Sequence, residues 1–270
     1  MSDKFLHRGD APFGDAVWHA IDEAVLSAAK SQLTARRLLH TDGPFGLGLK
    51  TVPGPEEPGG DVGKSGVAVT AAGGTPVALI QTTFAIAARD IASFEASGLP
   101  MDLGPAAQAG IACASQEDDL LFNGAKDIGA AGLLGAKGTQ SIKLADWEAV
   151  GAAADNLIEA VTTLDDAGFH GPYTLALAPR LYNRLFRRYP QGNQTELDHA
   201  RTIVTDGILK APSVAKGGVL LASGRQYASI VIGQDIKVGF IGPADGDYEF
   251  TVSETLALRL VVPEAVCVLK

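Results

Sequence analysis

The residue pattern with the most specific chemical meaning is Gly63-Lys64-Ser65, because a Gly-Lys-Ser triplet ends the loop that holds nucleotide phosphates. That loop also requires a glycine five residues earlier, a buried strand ahead of it and a helix behind it. The earlier position is Pro58, the residues ahead are rich in proline, and the residues behind are typical of a strand. The pattern therefore indicates a lysine on a solvated arm rather than a nucleotide site.

Other groups that could do chemistry also lack the arrangement that chemistry needs. Glu117-Asp118-Asp119 could supply general acids or metal ligands, but adjacent carboxylates point to different sides of a helix and acidic runs are usually solvated. The five histidines show no HxxxH or HExxH spacing, and no Gly-x-Ser-x-Gly elbow or dinucleotide fingerprint occurs. We therefore expect no catalytic residue, no metal site and no cofactor.

The cysteines and the charge balance narrow the class of protein further. Cys113 and Cys267 are far apart and outside any CxxC pair, which fits two small core residues in a reducing cytoplasm. A net charge of −9 disfavours nucleic acid as a partner. The first residues lack the apolar core of a signal peptide, and no apolar run approaches the ~20 residues of a membrane helix. We expect a cytoplasmic, soluble protein with no membrane partner.

The secondary structure predicted from apolar spacing is mixed. Helices are predicted over residues 15–38, 88–97, 105–123, 145–167 and 179–188. Strands are predicted over 77–86 and 173–178 and over several segments in succession after residue 217. Because those last strands follow one another without intervening helices, the fold class is α+β rather than a doubly wound sheet.

Residues 51–76 form the least usual segment. They contain four prolines and seven glycines, which exclude a helix, and the segment is long for a connection inside a compact domain. Its second half can form a strand, so an extended hairpin arm is predicted. The chain is also 46% hydrophobic, which indicates either helices filled with alanine and valine or surface hidden against other subunits.

A set of residues spread over nearly the whole chain matches one family in order. Its main members are Phe5-Leu6, Trp18, Gly43-Pro44-Phe45-Gly46, Met101-Asp102-Leu103, Gly132-Leu133-Leu134, Gly171-Pro172-Tyr173-Thr174-Leu175, Gly233-Gln234-Asp235, Glu254-Thr255 and Pro263-Glu264-Ala265. On these residues the chain resembles family 1 encapsulins, shell proteins of nanocompartments that share the HK97-like fold of tailed-phage capsid proteins. No single motif in the set is diagnostic.

The resemblance implies a division of the chain into five segments. Residues 1–50 form the N-terminal arm and helix of the peripheral domain, and residues 51–76 form the extended loop (E-loop). Residues 77–129 continue the peripheral domain with its long helix, and residues 130–225 form the axial domain. Residues 226–270 supply the C-terminal strands of the peripheral domain. A hairpin arm that its own domain cannot bury can pair with a neighbouring subunit.

The resemblance also implies partners: copies of the chain in an icosahedral shell of T=1 symmetry, and a cargo enzyme carrying a short C-terminal targeting peptide. A ferritin-like iron-storage protein or a peroxidase is the expected cargo. By position, the groove for the targeting peptide comprises Arg36, Leu38, Leu39, Asp235, Ile236 and Val238. Leu38, Ile236 and Val238 are alternatively plain core residues.

Two further expectations follow from position in the family. A pore loop is expected at Tyr189, Pro190, Gln191, Gly192, Asn193 and Gln194. The chain departs from a relative at His40, where that relative has an acidic residue, and at Arg89, where it has a tryptophan that stacks on a flavin. Cargo preference is expected to differ accordingly, and flavin binding is not expected.

Two other functions remain open at this point. One is a true phage major capsid protein, which genes for DNA packaging beside this gene would favour. The other is a free-standing protease or bacteriocin, because relatives have carried those labels. The lack of a nucleophile, a metal cluster or an export signal argues against the second.

Overall fold

The computed structural model of the chain describes residues 3–57, 71–190 and 192–270. The helices there are α1 Asp15–Lys30, α2 Ala35–Leu38, α3 Ala88–Ser97, α4 Gly104–Asn123, α5 Ala152–Asp166, α6 Pro179–Arg184 and α7 Glu196–Ile203. The strands are β1 His40–Asp42, β2 Thr51–Glu57, β3 Ala71–Pro76, β4 Ala78–Ala87, β5 Gly124–Ala125, β6 Ala130–Ala131, β7 Gln140–Ile142, β8 Tyr173–Leu177, β9 Ile208–Lys210, β10 Gly218–Ala222, β11 Ala228–Ala244, β12 Asp247–Leu260 and β13 Val266–Leu269.

The first lobe is built on a four-stranded sheet in the order β1-β11-β12-β4. Alternating apolar residues of β11 and β12 face α1 and α4, as expected for a sheet with one buried face. Aromatic rings fill this core, with Phe250 stacked on Phe84 at 5.1 Å and edge-on to Trp18 at 5.7 Å. This packing fixes α1 and α4 relative to the sheet that carries the candidate groove.

The second lobe is built on a five-stranded sheet in the order β7-β13-β10-β8-β9, with its own apolar core against α5, α6 and α7. The last strand, β13, pairs with β10 and β7 in this sheet. The predicted assignment of residues 226–270 to one domain therefore needs correction, because β13 lies in the second lobe. The rest of the five-segment division stays a prediction.

The predicted hairpin arm is present at its base, where β2 and β3 pair antiparallel from Thr51↔Pro76 to Glu57↔Ala71. Gly54 and Gly74 suit the close approach of the two strands, because a Cβ on Gly54 would lie 3.1 Å from the Gly73 carbonyl oxygen. Residues 58–70, which include Gly63-Lys64-Ser65, lie outside the described residues.

The helix predicted over residues 15–38 is wrong in one respect: it is two helices, α1 and α2. The carboxylate of Asp118 on α4 accepts hydrogen bonds from the backbone N–H groups of Thr34 (2.9 and 3.1 Å) and Ala35 (2.9 Å). These bonds satisfy the free N–H groups at the start of α2. The break depends on a residue more than 80 positions away, so local spacing could not predict it.

Two other predicted elements have different bounds. The helix predicted over residues 145–167 starts at Ala152, because Trp147 is buried and its indole N–H donates to Asn156 Oδ1 at 2.9 Å. The two strands predicted on either side of Gly233 form the single strand β11, in which Gly233–Ile236 is a bulged region rather than a turn.

Candidate functional site

The six residues predicted to line the peptide groove divide into two groups. Asp235 lies at the surface with its side chain 52% exposed, and it forms a hydrogen-bonded ion pair of 2.7 Å with Arg36, whose side chain is only 18% exposed. The other four are buried members of the first-lobe core: Leu38, Leu39, Ile236 and Val238. The apolar wall of the predicted groove is therefore closed over by the protein itself, and its accessible part is the Arg36–Asp235 pair.

Arg36 is the centre of a charge cluster, which we define as Arg36, Glu117, Asp235 and Glu254. Its Nε and Nη2 donate to the Glu117 carboxylate at 2.7–3.1 Å. The same Nη2 donates to Glu254 Oε2 at 2.9 Å. Glu117 on α4 and Glu254 on β12 are fully buried, so α2 is tied to both elements through one guanidinium.

The environment of the cluster shifts the titration of its members. Burial, and then the charge of Glu117, raise the pKa of the Glu254 carboxyl to about 9. Burial opposes the charged form of Arg36, but hydrogen bonds and charges from Glu117 and Asp235 outweigh it and raise the guanidinium pKa further. Burial also raises the pKa of Cys113, whose thiol donates to Glu254 Oε1 at 3.4 Å.

The acidic run Glu117-Asp118-Asp119 is thus not solvated as predicted. Glu117 and Asp118 are buried on the side of α4 that meets Arg36 and the start of α2, and only Asp119 is exposed. A buried carboxylate persists where hydrogen bonds and an opposite charge compensate its desolvation. The signal missed in the sequence was the pairing of three distant residues: Arg36, Glu117 and Glu254.

A cavity of about 310 Å³ lies beside Asp235 at the edge of the first sheet. Its walls come from the turn Pro44-Phe45-Gly46 and from the bulged region of β11 together with Lys237. The turn is anchored to the strand, because the N–H of Phe45 donates to the Ile232 carbonyl at 3.0 Å. The Phe45 ring remains 63% exposed, and the buried Oε1 of Gln234 lacks a hydrogen-bond partner among the described residues. The cavity and the Arg36–Asp235 pair form what we call the groove rim.

The predicted pore loop forms a tight hairpin between α6 and α7. The N–H of Tyr189 donates to the Gln194 carbonyl at 3.1 Å, and Tyr189 Oη lies 2.8 Å from His199 Nδ1 on α7. Pro190, Gly192, Asn193 and Gln194 are exposed at its tip, whereas Gln191 lies outside the described residues.

An ion pair supports the base of that loop. Arg187 Nη2 lies 2.8 Å from Glu196 Oε2, and the other oxygen of this buried carboxylate accepts from the Gly151 N–H at 2.8 Å. Arg187 also donates to the backbone carbonyls of Trp147 and Glu148. With the Arg184 carbonyl, which accepts from Nε at 3.2 Å, four acceptors hold the Arg187 guanidinium.

The remaining groups singled out in the sequence give no further site in residues 3–57, 71–190 and 192–270. No group of three potential metal ligands occurs there. His40 is half-exposed and lies 3.4 Å from Asp42, Arg89 is exposed, and both cysteines are buried. None of the helices in this part of the chain is long and apolar enough to span a bilayer.

The sequence matches one protein family along most of its length. The family model, described as Linocin_M18, an encapsulating protein for peroxidase, matches residues 3–257. The chain is 32% identical over 276 aligned positions to the type 1 encapsulin shell protein EncA of Myxococcus xanthus, covering 98% of this chain and 96% of that protein. It is 30% identical to a diheme-cytochrome–encapsulin shell fusion protein of Kuenenia stuttgartiensis, covering 94% of this chain and 72% of the fusion.

Two solved structures with the same fold come from a virus-like particle and from a phage capsid. A virus-like particle from Pyrococcus furiosus superposes with a TM-score of 0.75 at 21% identity, covering 94% of this chain and 99% of that chain. The capsid of the Myoviridae phage XM1 superposes with a TM-score of 0.58 at 15% identity, covering 86% of this chain and 88% of that chain. The predicted α+β, HK97-like capsid fold is confirmed.

Proposed function

The chain belongs to the encapsulin family of shell proteins, and on that premise we propose that its copies assemble into a closed compartment around a cargo enzyme. The observation that carries this proposal is the match of the family model to residues 3–257 of a 270-residue chain. The M. xanthus shell protein aligns with 98% of the chain, so the likeness is not limited to one lobe. The relatives favour an encapsulin over a phage capsid protein.

The proposed assembly is an icosahedral shell of T=1 symmetry in the cytoplasm, with no catalysis by the shell itself. One chain can close such a shell only if its surfaces meet complementary surfaces on identical copies. Large apolar side chains exposed on the single chain support this, because subunit interfaces are where such groups are covered. They include Phe5, Leu79, Leu99, Ile128 and Ile241. The exposed tip of the Tyr189–Gln194 loop fits a pore at a symmetry axis.

We place the targeting peptide of the cargo at the groove rim. The half-exposed Asp235 carboxylate, paired with Arg36, offers a charge at the surface, and the adjoining cavity offers the exposed Phe45 ring. An extended peptide can bind such an edge by its backbone and place alternate side chains in the pockets. Leu38, Leu39, Ile236 and Val238 then act from beneath, by holding the rim in shape.

The proposed cargo is a peroxidase or a ferritin-like iron-storage protein, which would give the compartment a role in oxidative stress or iron storage. The description of the family as encapsulating a peroxidase supports the first. Weak binding of each peptide suffices, because many sites on one shell bind an oligomeric cargo with avidity.

The test is co-expression of the shell with the enzyme encoded beside its gene, with and without the C-terminal tail of that enzyme. We expect the intact enzyme to elute with the shell in the megadalton fraction and the truncated enzyme to elute alone. Elution of both forms apart from the shell would contradict the cargo proposal. Elution of the shell chain itself as a monomer would contradict the assembly proposal.

A further inference from the structure

We propose that the charge cluster is a proton-operated lock, in which a proton on Glu254 holds α2 against α4 and β12 and its loss at alkaline pH loosens that junction. The proposal concerns the buried side of the cluster, in which Glu117 and Glu254 share Arg36, whereas Arg36 and Asp235 also belong to the groove rim. It assigns a regulatory role to two glutamates, Glu117 and Glu254, that the groove itself does not use.

The geometry of the cluster supports a proton on one of the two buried glutamates. Arg36 Nη2 donates both to Glu117 Oε2 at 2.7 Å and to Glu254 Oε2 at 2.9 Å, so both carboxyl groups lie against one nitrogen atom. Both side chains are fully buried. Two ionised carboxylates at this distance, away from water, repel each other strongly, and a single positive charge cannot neutralise both. Asp235 adds a third negative charge to the same guanidinium.

Glu254 is the better carrier of the proton. Glu117 accepts a bifurcated hydrogen bond from the single Nε–H of Arg36 and another bond from Nη2. Glu254 receives one hydrogen bond from Arg36 and one from the weak thiol donor of Cys113. The charged and titratable groups around Glu254 are therefore Glu117 and Cys113 from α4, Arg36 from α2 and, through Arg36, Asp235 from β11. Burial and the Glu117 charge accordingly raise the Glu254 pKa to about 9.

The sign of the pH effect follows from this raised pKa. The carboxyl ordinarily titrates near 4.5, so between pH 4.5 and about 9 the folded chain binds a proton that the unfolded chain does not. The stabilisation from that proton is complete below pH 4.5 and is lost as the pH rises toward 9. Between these two values, each rise of one pH unit lowers the folded-to-unfolded ratio by up to about tenfold, because the folded chain holds this one extra proton.

The loosening is expected at α2. This helix has only four residues, and the contacts that fix its start are the Asp118 carboxylate on Thr34 and Ala35 and the cluster on Arg36. When Glu254 loses its proton, its charge competes with Glu117 for Arg36. This weakens the attachment of α2 through Arg36. Arg36 and Arg37 then provide cleavage points for trypsin.

The test compares the native assembled protein with Glu254→Gln, which keeps the shape of a protonated glutamate without its titration. We expect the folded-to-unfolded ratio of the wild type to fall as the pH rises from 6 to 8.5. This fall should exceed that of the variant by up to about tenfold per pH unit. We also expect cleavage at Arg36 or Arg37 to increase over this range in the wild type alone. Glu264→Gln, on an exposed glutamate, is the matched control and should keep the wild-type slope. Equal slopes for wild type and Glu254→Gln would overturn the proposal.

A second measurement needs no variant, in case Glu254→Gln fails to assemble. Infrared difference spectra of wild-type protein with isotopically labelled glutamate should show the carbonyl stretch of a protonated glutamic acid at pH 7 that is lost by pH 10. The label separates this signal from Asp118, whose pKa burial also raises. Absence of the protonated band at pH 7 would overturn the proposal whatever the variant does.

Discussion

Each lobe buries a glutamate against an arginine, but the two sites differ in how many carboxylates share the guanidinium. In the second lobe Arg187 meets one carboxylate, Glu196, and its other bonds go to neutral backbone carbonyls. In the first lobe Arg36 meets three carboxylates, two of them fully buried. The second-lobe pair joins one cation to one carboxylate, whereas the buried part of the first-lobe cluster joins one cation, Arg36, to two carboxyl groups and is neutral only with a bound proton. The difference indicates that the Arg187–Glu196 pair has a structural role only, whereas the stability of the Arg36 cluster depends on pH.

The largest effect is expected from removing the shared arginine. Arg36→Ala leaves the Glu117 and Glu254 carboxyls buried without a cation, and breaking a buried ion pair in this way costs about 3–5 kcal/mol. We expect loss of soluble assembled protein or a large drop in the denaturant midpoint. Arg37→Ala, which removes an exposed neighbouring arginine, should behave like the wild type. A wild-type midpoint for Arg36→Ala would contradict the structural role of the cluster.

The matching substitution in the second lobe should lower the free energy of unfolding by less than Arg36→Ala does. Arg187→Ala removes one partner of Glu196, but the Gly151 N–H still donates to that carboxylate and water can reach the site of the lost side chain. We expect a loss of about 2 kcal/mol by denaturant unfolding, the range of a hydrogen bond to a charged group. Arg188→Ala is the control on an exposed side chain. A loss as large as that of Arg36→Ala would remove the contrast between the two sites.

The break between α1 and α2 is tested by the residue that caps α2. Asp118→Ala leaves the N–H groups of Thr34 and Ala35 without their acceptor, and loss of a cap costs about 1 kcal/mol. Circular dichroism melting should show a lower midpoint, while Asp119→Ala, beside it on the exposed face, should leave the midpoint unchanged. Equal midpoints for the two variants would show that Asp118 does not hold this junction.

The smallest effect on stability is expected at the rim. The Asp235 side chain is half-exposed, so Asp235→Asn should change stability by less than about 1 kcal/mol. If the cargo peptide binds at the groove rim, the same change should lower the amount of cargo that co-purifies with the shell. Asp127→Asn, on a distant exposed residue, is the control. Normal cargo loading by Asp235→Asn would place the peptide elsewhere.

Elements set by local residue order were predictable from the sequence. Helix α3 spans residues 88–97 as predicted and ends at Gly98, whose φ of +68° suits glycine. Pro105 lies in the first turn of α4, and the base of the proline-rich arm is a hairpin. In each case the signal lies within a few residues of the feature it determines.

Features that depend on distant residues were not predictable in the same way. The break after α1 is set by Asp118, and the burial of Glu117 by Arg36 and Glu254. The place of β13 in the second sheet is set by its pairing with β10 and β7. In the predicted groove, Asp235 is exposed and pairs with Arg36, and the peptide site stays a prediction. Whether Leu38 and Ile236 face a peptide or the core depends on the packing of α2 over the sheet, which local residue order does not determine.

The measurement that tests the account most directly is negative-stain electron microscopy of the chain expressed alone and purified by size exclusion. An encapsulin shell protein with this fold should give uniform, hollow, icosahedral particles from a megadalton peak. A monomer or a small oligomer in that preparation would contradict the shell function.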